Sequence, residues 1–233
     1  MLTTVKQQYR GVTPEAKRKF ALNLLGGAAA TLILAIVFFF ITRSVLLNQT
    51  TDFDRYVTDT VRQAASPTLT TVVTWITHIG SSRVVVPLAG ILIVLLAFVY
   101  KRRWDAISLL TVSLGGALVN EGLKICFQRA RPDWEHWVVE NGYSFPSGHS
   151  MVSTAFFGMI GYLIWVHLKE QGKPAGYVLV LTVLLIVCIG LSRIYLGVHY
   201  VTDVLGGYTA GAIWLLFTIM AMQWLRDRKR SAR

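Results

Sequence analysis

The chain has 233 residues, of which 54% are hydrophobic and only 15% charged, and its formal net charge is +11. The apolar share exceeds the roughly 45–50% of soluble domains, and the charged share falls below the usual ~25%. Such a composition excludes a disordered chain, and it is too apolar for a nucleic-acid-binding protein despite the positive charge. Because the length fits one domain, the sequence predicts a single integral membrane domain over residues 1–233.

Hydropathy predicts six membrane-spanning helices, because a spanning helix needs about 20 mostly apolar residues. The expected spans are about 21–47, 84–100, 106–123, 151–167, 177–191 (continuing through 195) and 204–225. The predicted fold is therefore all-α, a polytopic six-helix bundle. Residues 21–42 contain no charge and are too long for the core of a signal peptide, so the first span is predicted to be a retained anchor.

Apolar residues also recur at helical spacing between the first two spans, at Phe53, Tyr56, Val57 and Val61. This pattern is compatible with a short helix lying in the membrane interface. A solvated loop is an equally good interpretation.

The distribution of basic residues predicts the orientation in the membrane, since loops rich in Lys and Arg remain cytoplasmic. With six spans both termini lie on one side, and fifteen of the 23 Lys and Arg residues fall on that side. They are Lys6, Arg10, Lys17, Arg18, Lys19, Lys101, Arg102, Arg103, Lys169, Lys173, Arg226, Arg228, Lys229, Arg230 and Arg233. The basic tails, residues 1–19 and 226–233, are therefore predicted to be cytoplasmic.

The first segment with candidate chemistry is residues 124–132, at the outer end of the third span. Lys124 and Arg131 are seven residues apart, so on one helix they would point to the same side about 10 Å apart. Pro132 is predicted to end that helix. Taken alone, these cations are more typical of side chains that snorkel from a span end to the interface.

The second segment is residues 145–150, directly before the fourth span. Ser147 or Ser150 can cap the helix that follows, and its free N–H groups and positive dipole end can bind an anion. Gly148 would allow a ligand to approach the backbone closely. The alternative is an ordinary helix cap with an incidental His149.

The third segment is residues 192–203, at the end of the fifth span. Asp203 follows His199 by four residues, so in a helix both side chains would share a face. The carboxylate could then hold one ring nitrogen and leave the other as a nucleophile or base. Arg193 offers forked donors that suit phosphate oxygens. The alternative is a surface His–Asp pair. Together, the three segments place their polar groups on one membrane face.

Written as K-x6-R-P, P-S-G-H and S-R-x5-H-x3-D, the three segments resemble, in order, the signature motifs of the type 2 phosphatidic acid phosphatase family. The resemblance covers residues 124–203, and every motif position is filled. Ala130 stands where many members have proline, outside the essential pattern. Within the family, the chain is most similar to bacterial phosphatidylglycerophosphatase B-like and undecaprenyl-diphosphatase-like enzymes.

The resemblance implies a role for each motif residue. His199 would attack phosphorus and form a phosphohistidine, Asp203 would orient His199, and His149 would protonate the leaving group and later activate water. The groups that would bind the phosphoryl oxygens are Lys124, Arg131, Ser147, Gly148 and Arg193.

The implied protein is an integral membrane phosphatase, with its active site at the extracytoplasmic face of a cell membrane. Its partners would be the bilayer and a phospholipid or isoprenyl phosphate substrate. Phosphatidylglycerophosphate, phosphatidic acid and isoprenyl diphosphates all fit the motifs. Three cations compensate the charge of a phosphate, about −1.5 to −2, so no metal and no cofactor are expected.

Three alternatives differ in function. A lipid phosphotransferase would use the same motifs with another acceptor. A haloperoxidase-like oxidant with bound vanadate would share them too, although those relatives are soluble. An anion transporter would need deeper intramembrane charges and repeated, broken spans, and the sequence contains no such repeat.

Overall fold

The computed structural model of the chain describes residues 14–231, and every regular element within that range is helical. The elements are α1 (Pro14–Leu46), α2 (Thr51–Arg62), α3 (Pro67–Ile79), α4 (Ser82–Val94), α5 (Arg103–Phe127), α6 (Gly148–Glu170), α7 (Gly176–Tyr195) and α8 (Val201–Ser231). A π-helical turn over Leu95–Val99 extends α4. Of the predicted basic tails, residues 1–13 and 232–233 lie outside the described part of the chain.

Six of the described helices are long and apolar enough to cross a membrane. The candidate spans are Leu24–Leu46, Ser82–Val99, Arg103–Phe127, Gly148–Glu170, Gly176–Tyr195 and Val201–Lys229. Each overlaps one predicted span, so the prediction of a six-helix all-α membrane protein is confirmed. The fifth span does continue to Tyr195, as the sequence indicated.

Helix α6 occupies the centre of the bundle, where it packs against α5, α7 and α8, while α8 also packs against α1. Glycines in α8 allow its backbone to approach the start of α6. A Cβ at Gly207 would lie 2.7 Å from the Ser147 carbonyl oxygen, and one at Gly211 would lie 2.5 Å from that of Met151. The N-terminal ends of α6 and α8, which belong to the second and third motifs, are therefore in direct contact.

The segment between the first two spans forms two helices, so the predicted short helix is confirmed as α2 and the solvated-loop interpretation is wrong. Its apolar side chains are divided: Val57 packs against the core, whereas Phe53 and Tyr56 are exposed. Asp54 is completely buried.

The second helix of this segment, α3, was not predicted, although its N-terminal cap is visible in the sequence. Ser66 accepts a hydrogen bond from the Leu69 N–H, and Pro67 follows Ser66 directly.

The apolar sequence around the two cysteines predicts that they are small buried hydrophobic residues, and this prediction is wrong. Cys126 and Cys188 are both exposed on the outside of the bundle. In a membrane-spanning helix the outer face is as apolar as the core, so an apolar neighbourhood in the sequence does not indicate burial.

Candidate active site

The three motif segments lie at the same end of the bundle. The C-terminal ends of α5 and α7 meet the N-terminal ends of α6 and α8 there, and residues 128–147 form an irregular connection above them. The structure brings Lys124, Arg131 and Arg193 close enough for their charges to act on His199. The grouping expected from the sequence is therefore present.

His199 lies in the turn between α7 and α8 and is only 2% exposed. Its Nδ1 is 3.4 Å from Oδ2 of Asp203, and its Nε2 is 3.4 Å from Nη1 of Arg131. The same Asp203 oxygen accepts a hydrogen bond from the Tyr200 N–H at 2.9 Å. The expected pairing is present, but His199 precedes α8, so the two residues do not share a helical face.

The electrostatic surroundings favour a neutral His199. Burial, together with the positive charges of Arg193, Arg131 and Lys124, lowers the pKa of His199 well below its usual value. A neutral imidazole that donates from Nδ1 to Asp203 has its lone pair on Nε2, and Nη1 of Arg131 can donate to that lone pair. Nε2 is therefore the ring nitrogen that could act as a nucleophile, next to a cation.

Arg131 does not lie on α5, so the prediction that it shares a helix with Lys124 is wrong. The helix ends at Phe127 because Gln128 adopts a left-handed conformation with φ of 46°. Arg131 then lies in the irregular connection. Three carbonyl oxygens accept hydrogen bonds from its guanidinium at 2.9–3.0 Å, those of Asn141, Gly142 and Val198. Backbone atoms of the irregular connection and of the third motif thus fix its direction.

Ser147 is the N-cap of α6, as predicted, and its hydroxyl accepts a hydrogen bond from the Ser150 N–H at 3.4 Å. The Ser147 N–H donates to the Asp203 carbonyl at 3.0 Å, which joins the second motif to the third. Lys124 reaches the same helix end, since a Cβ at Gly148 would lie 3.6 Å from its Nζ. The positive end of α6 and a lysine ammonium therefore face the same space.

Arg193 is 1% exposed, and it is held by two residues that the sequence analysis missed. It donates to the hydroxyl of Thr77 on α3 at 2.7 Å and forms an ion pair with Glu140. The Glu140 carboxylate also lies 3.9 Å from Arg131. A carboxylate and a hydroxyl thus each occupy one terminal nitrogen of the guanidinium that is predicted to bind phosphate. These partners are 116 and 53 residues away from Arg193, and no local pattern reveals them.

A second ionic cluster lies behind the His199–Asp203 pair and was also missed. Arg129 donates to both Asp203 and Asp54. From the sequence, Arg129 is only one of the eight basic residues expected on the outer side, and Asp54 falls within the predicted short helix. The two residues are 75 apart in the chain, so local spacing does not indicate their contact.

A cavity of about 510 Å³ lies between α4, α5 and α6 and reaches the motif residues. Its polar end contains Lys124 and His149, and its walls include apolar residues such as Ala89 and Ala117. The lining also includes Leu114, which is 58% exposed on the outside of the bundle. The cavity therefore connects the motif residues with the membrane-facing surface.

Within residues 14–231, no three or more His, Cys, Asp or Glu side chains are grouped as a metal ion would require.

Comparison with known proteins agrees with this fold and this site. Residues 105–227 match the PAP2 superfamily. The chain is 35% identical over 180 residues to phosphatidylglycerophosphatase B of Bacillus subtilis (strain 168), a match that covers 77% of this chain and 88% of that protein.

Solved structures agree as well. The crystal structure of a transmembrane PAP2 type phosphatidylglycerolphosphate phosphatase from Bacillus subtilis matches with a TM-score of 0.76 at 33% identity, over 85% of this chain and 96% of that one. Aquifex aeolicus LpxE has a similar fold, with a TM-score of 0.56 at 21% identity over 70% and 93% of the two chains.

The fold and the site define a multi-pass membrane enzyme of the lipid phosphatase class. The chain belongs to the PAP2 superfamily, and the family resemblance stated from the three motifs is confirmed.

Proposed function

We propose that this protein hydrolyses the terminal phosphate of a membrane lipid at the extracytoplasmic face, through a phosphohistidine on His199 and without a metal ion. One observation carries the proposal. The buried His199 has one ring nitrogen beside the Asp203 carboxylate and the other beside Arg131. A nucleophile whose ring is oriented by a carboxylate and whose reactive nitrogen lies beside a cation is suited to attack on a phosphate.

In the first step, Nε2 of His199 attacks phosphorus, and the bond between phosphorus and the lipid oxygen breaks. His149 gives a proton to that oxygen, so the lipid leaves as a neutral alcohol or, from a diphosphate, as a monophosphate. The Nδ1–H of His199 keeps its hydrogen bond to Asp203, which stabilises the positive ring in the transition state.

In the second step, His149 accepts a proton from water, and the resulting oxygen attacks the phosphohistidine. The bond between phosphorus and Nε2 breaks, which restores His199 and releases inorganic phosphate. His149 is thus acid in one step and base in the other. It lines the cavity from the first turn of α6.

Charge compensation comes from the chain itself. Lys124, Arg131 and Arg193 lie near enough to His199 to lower its pKa, and the N-terminal end of α6 begins at Gly148. Phosphoryl transfer depends mainly on positioning and on neutralising the charge of the phosphoryl oxygens. Three cations and a helix N-terminus supply that neutralisation, which is why we propose a metal-independent reaction.

The cavity supports a lipid as substrate, since its apolar walls suit hydrocarbon chains while its polar end contains His149 and Lys124. Among lipids we place phosphatidylglycerophosphate first, because the relative with 35% identity is named phosphatidylglycerophosphatase B. Phosphatidic acid and isoprenyl diphosphates are the comparison substrates.

The experiment is phosphate release by the purified protein from these three lipids, side by side, with and without a chelator. We expect phosphatidylglycerophosphate to give the highest kcat/KM and the chelator to have no effect. Loss of activity in chelator with recovery on adding magnesium would overturn metal independence. Absence of release from all three lipids would overturn the proposed function.

The extracytoplasmic orientation has its own test, based on the excess of basic residues at the opposite end. In a background without Cys126 and Cys188, the variant Asn141→Cys places a thiol at the site end and Lys173→Cys places one in the turn between α6 and α7. An impermeant thiol reagent added to intact cells should label only Asn141→Cys. Labelling of only Lys173→Cys would reverse the orientation.

A further inference from the structure

We propose that Asp54 and Arg129 are positioning residues of this enzyme, which hold Asp203 and, through it, His199 in the reactive geometry. Asp54 lies outside the three motifs, on α2, a short helix that precedes them in the chain, and Arg129 occupies one of the unspecified positions within the first motif. The inference rests on the proposed function, since it concerns how the proposed nucleophile is held.

Arg129 connects two completely buried carboxylates. Its Nη1 donates to Oδ1 of Asp203 at 2.6 Å, and its Nη2 donates to Oδ2 of Asp54 at 2.9 Å. The guanidinium lies over the ring of Tyr200, with its carbon 4.0 Å from the ring centre. Its side chain is 15% exposed. Only a planar fork can serve both carboxylates at once.

Asp54 also caps a helix that begins 147 positions later in the chain, at Val201. Its Oδ1 accepts a hydrogen bond from the Thr202 N–H at 2.9 Å, and its Oδ2 accepts one from the Thr202 hydroxyl at 2.8 Å. The first N–H groups of a helix have no partner within the helix, so Asp54 fixes the first turn of α8. Asp203 belongs to that turn.

These contacts determine which oxygen of Asp203 faces His199. Arg129 takes Oδ1, while Oδ2 is left for His199 and for the Tyr200 N–H. A carboxylate fixed on one side by a charged partner has little freedom to rotate away from the imidazole. Small displacements of a catalytic group lower the rate steeply, so losing this hold should affect turnover.

Asp54 and Arg129 are not among the residues that line the cavity. A defect in them should therefore lower kcat and leave ground-state binding of the lipid almost unchanged. A residue needed only for folding would instead lower the amount of binding-competent enzyme. This difference separates a positioning role from a purely structural one.

The test compares Asp54→Asn and Arg129→Lys with a matched control, Asp59→Asn, an exposed acid on the same helix. We expect kcat to fall about 10- to 100-fold in the first two variants, as for loss of a hydrogen bond to a charged group. KM should stay within about threefold, and so should the affinity for a phosphonate analogue of the lipid that cannot be cleaved. Asp59→Asn should have the kcat of the unmodified protein.

A third variant, Arg129→Ala, tests the guanidinium directly. Free guanidinium ions should restore part of its kcat, because they can occupy the vacated space between two buried carboxylates. No recovery, or a loss of phosphonate binding as large as the loss of kcat, would overturn the positioning role.

His199→Ala, measured in the same assay, separates the two proposals. Turnover by His199→Ala would overturn the proposed function itself. An inactive His199→Ala together with unchanged kcat in Asp54→Asn and Arg129→Lys would overturn the positioning inference alone.

Discussion

Arginine–carboxylate pairs lie at both ends of the helix bundle, but the two ends differ in whether cationic groups remain for a ligand. At the end opposite the site, Asp105 contacts Arg226 at 2.6 Å and Arg102 at 2.9 Å, and Arg102 also contacts Glu170 at 3.1 Å. Two arginines and two carboxylates there satisfy one another. Such a cluster can join helix ends, but it has no excess charge for a ligand.

Beside the cavity at the site end, three cations contact two carboxylates. Arg193 and Arg131 share Glu140, and Lys124 has only a distant ion pair with the mostly exposed Glu121, at 3.7 Å. A cavity opens beside this excess of charge. An ion-pair network is therefore suited to binding an anion when its cations are in excess and a cavity adjoins it.

The largest expected effect is that of removing the proposed nucleophile. His199→Ala should eliminate turnover, because no other imidazole lies beside both Asp203 and Arg131 in the described part of the chain. Binding of a phosphonate lipid should persist, since the cations remain. The measurement is phosphate release with the phosphonate affinity as control. Residual turnover above about one thousandth of the original would argue against His199 as the nucleophile.

The second prediction compares the loss of an arginine at the site end with the loss of one at the opposite end. Arg193→Gln should lower kcat/KM about 100- to 1000-fold, the usual cost of removing one donor to a transition-state oxyanion. Arg226→Gln should leave kcat/KM unchanged and lower the free energy of unfolding by about 1 kcal/mol. Activity and thermal unfolding in detergent are measured on both variants. Equal losses of activity would contradict the functional difference between the two ends.

The third prediction concerns the cavity. Ala117→Phe fills its wall, so KM for a long-chain lipid phosphate should rise about tenfold, within the range for pocket changes of this size. A short, water-soluble phosphate ester should be unaffected, because it needs only the polar end. Leu118→Phe is the matched control, since Leu118 adjoins Ala117 in the chain but is exposed and does not line the cavity. An equal effect on both substrates would exclude the cavity as the chain-binding site.

A smaller effect is expected from changing Glu140, whose carboxylate forms ion pairs with Arg131 and Arg193. In the proposed reaction, substrate phosphate replaces this carboxylate, so Glu140→Gln should lower KM about two- to fivefold, as for loss of a partly exposed ion pair. Glu135→Gln, in the same connection but with an exposed side chain, should change nothing. A rise in KM for Glu140→Gln would mean that the carboxylate helps to bind the substrate.

The smallest expected change is in the titration of His199. Since burial and nearby cations lower the pKa of His199, its neutral form should persist as the pH falls through about 6.5, where a free histidine gains its proton. NMR of the histidine-labelled protein, with His199→Ala to assign the signal, measures this. A midpoint near 6.5 for that signal would contradict a neutral nucleophile.

Hydropathy and motif spacing were sufficient to predict the six spans. They also predicted that Lys124, His149 and His199 lie at the same end of the bundle. Both depend on properties that the chain carries locally: apolar runs of membrane length, and polar residues placed at the ends of those runs. Alternating spans then bring those ends together without further information. The sequence therefore predicted where the polar groups meet before any contact was known.

The contacts that orient those groups could not be predicted in the same way. Thr77, Glu140 and Asp54 come from connecting segments, and each reaches a motif residue far along the chain. Local spacing also misled at Arg131, because the left-handed Gln128 ends α5 earlier than Pro132 indicated. Side-chain direction at a span end depends on tertiary partners, and a single sequence does not show them.

The cavity between α4, α5 and α6 bears on the path by which a lipid substrate reaches the enzyme. A lipid that enters past Leu114, on the membrane-facing side, never has to leave the bilayer, and only phosphate has to pass into water. The enzyme then encounters its substrate by diffusion in two dimensions. Its rate should follow the mole fraction of substrate in the membrane, and diluting the vesicles in buffer should leave turnover per enzyme unchanged.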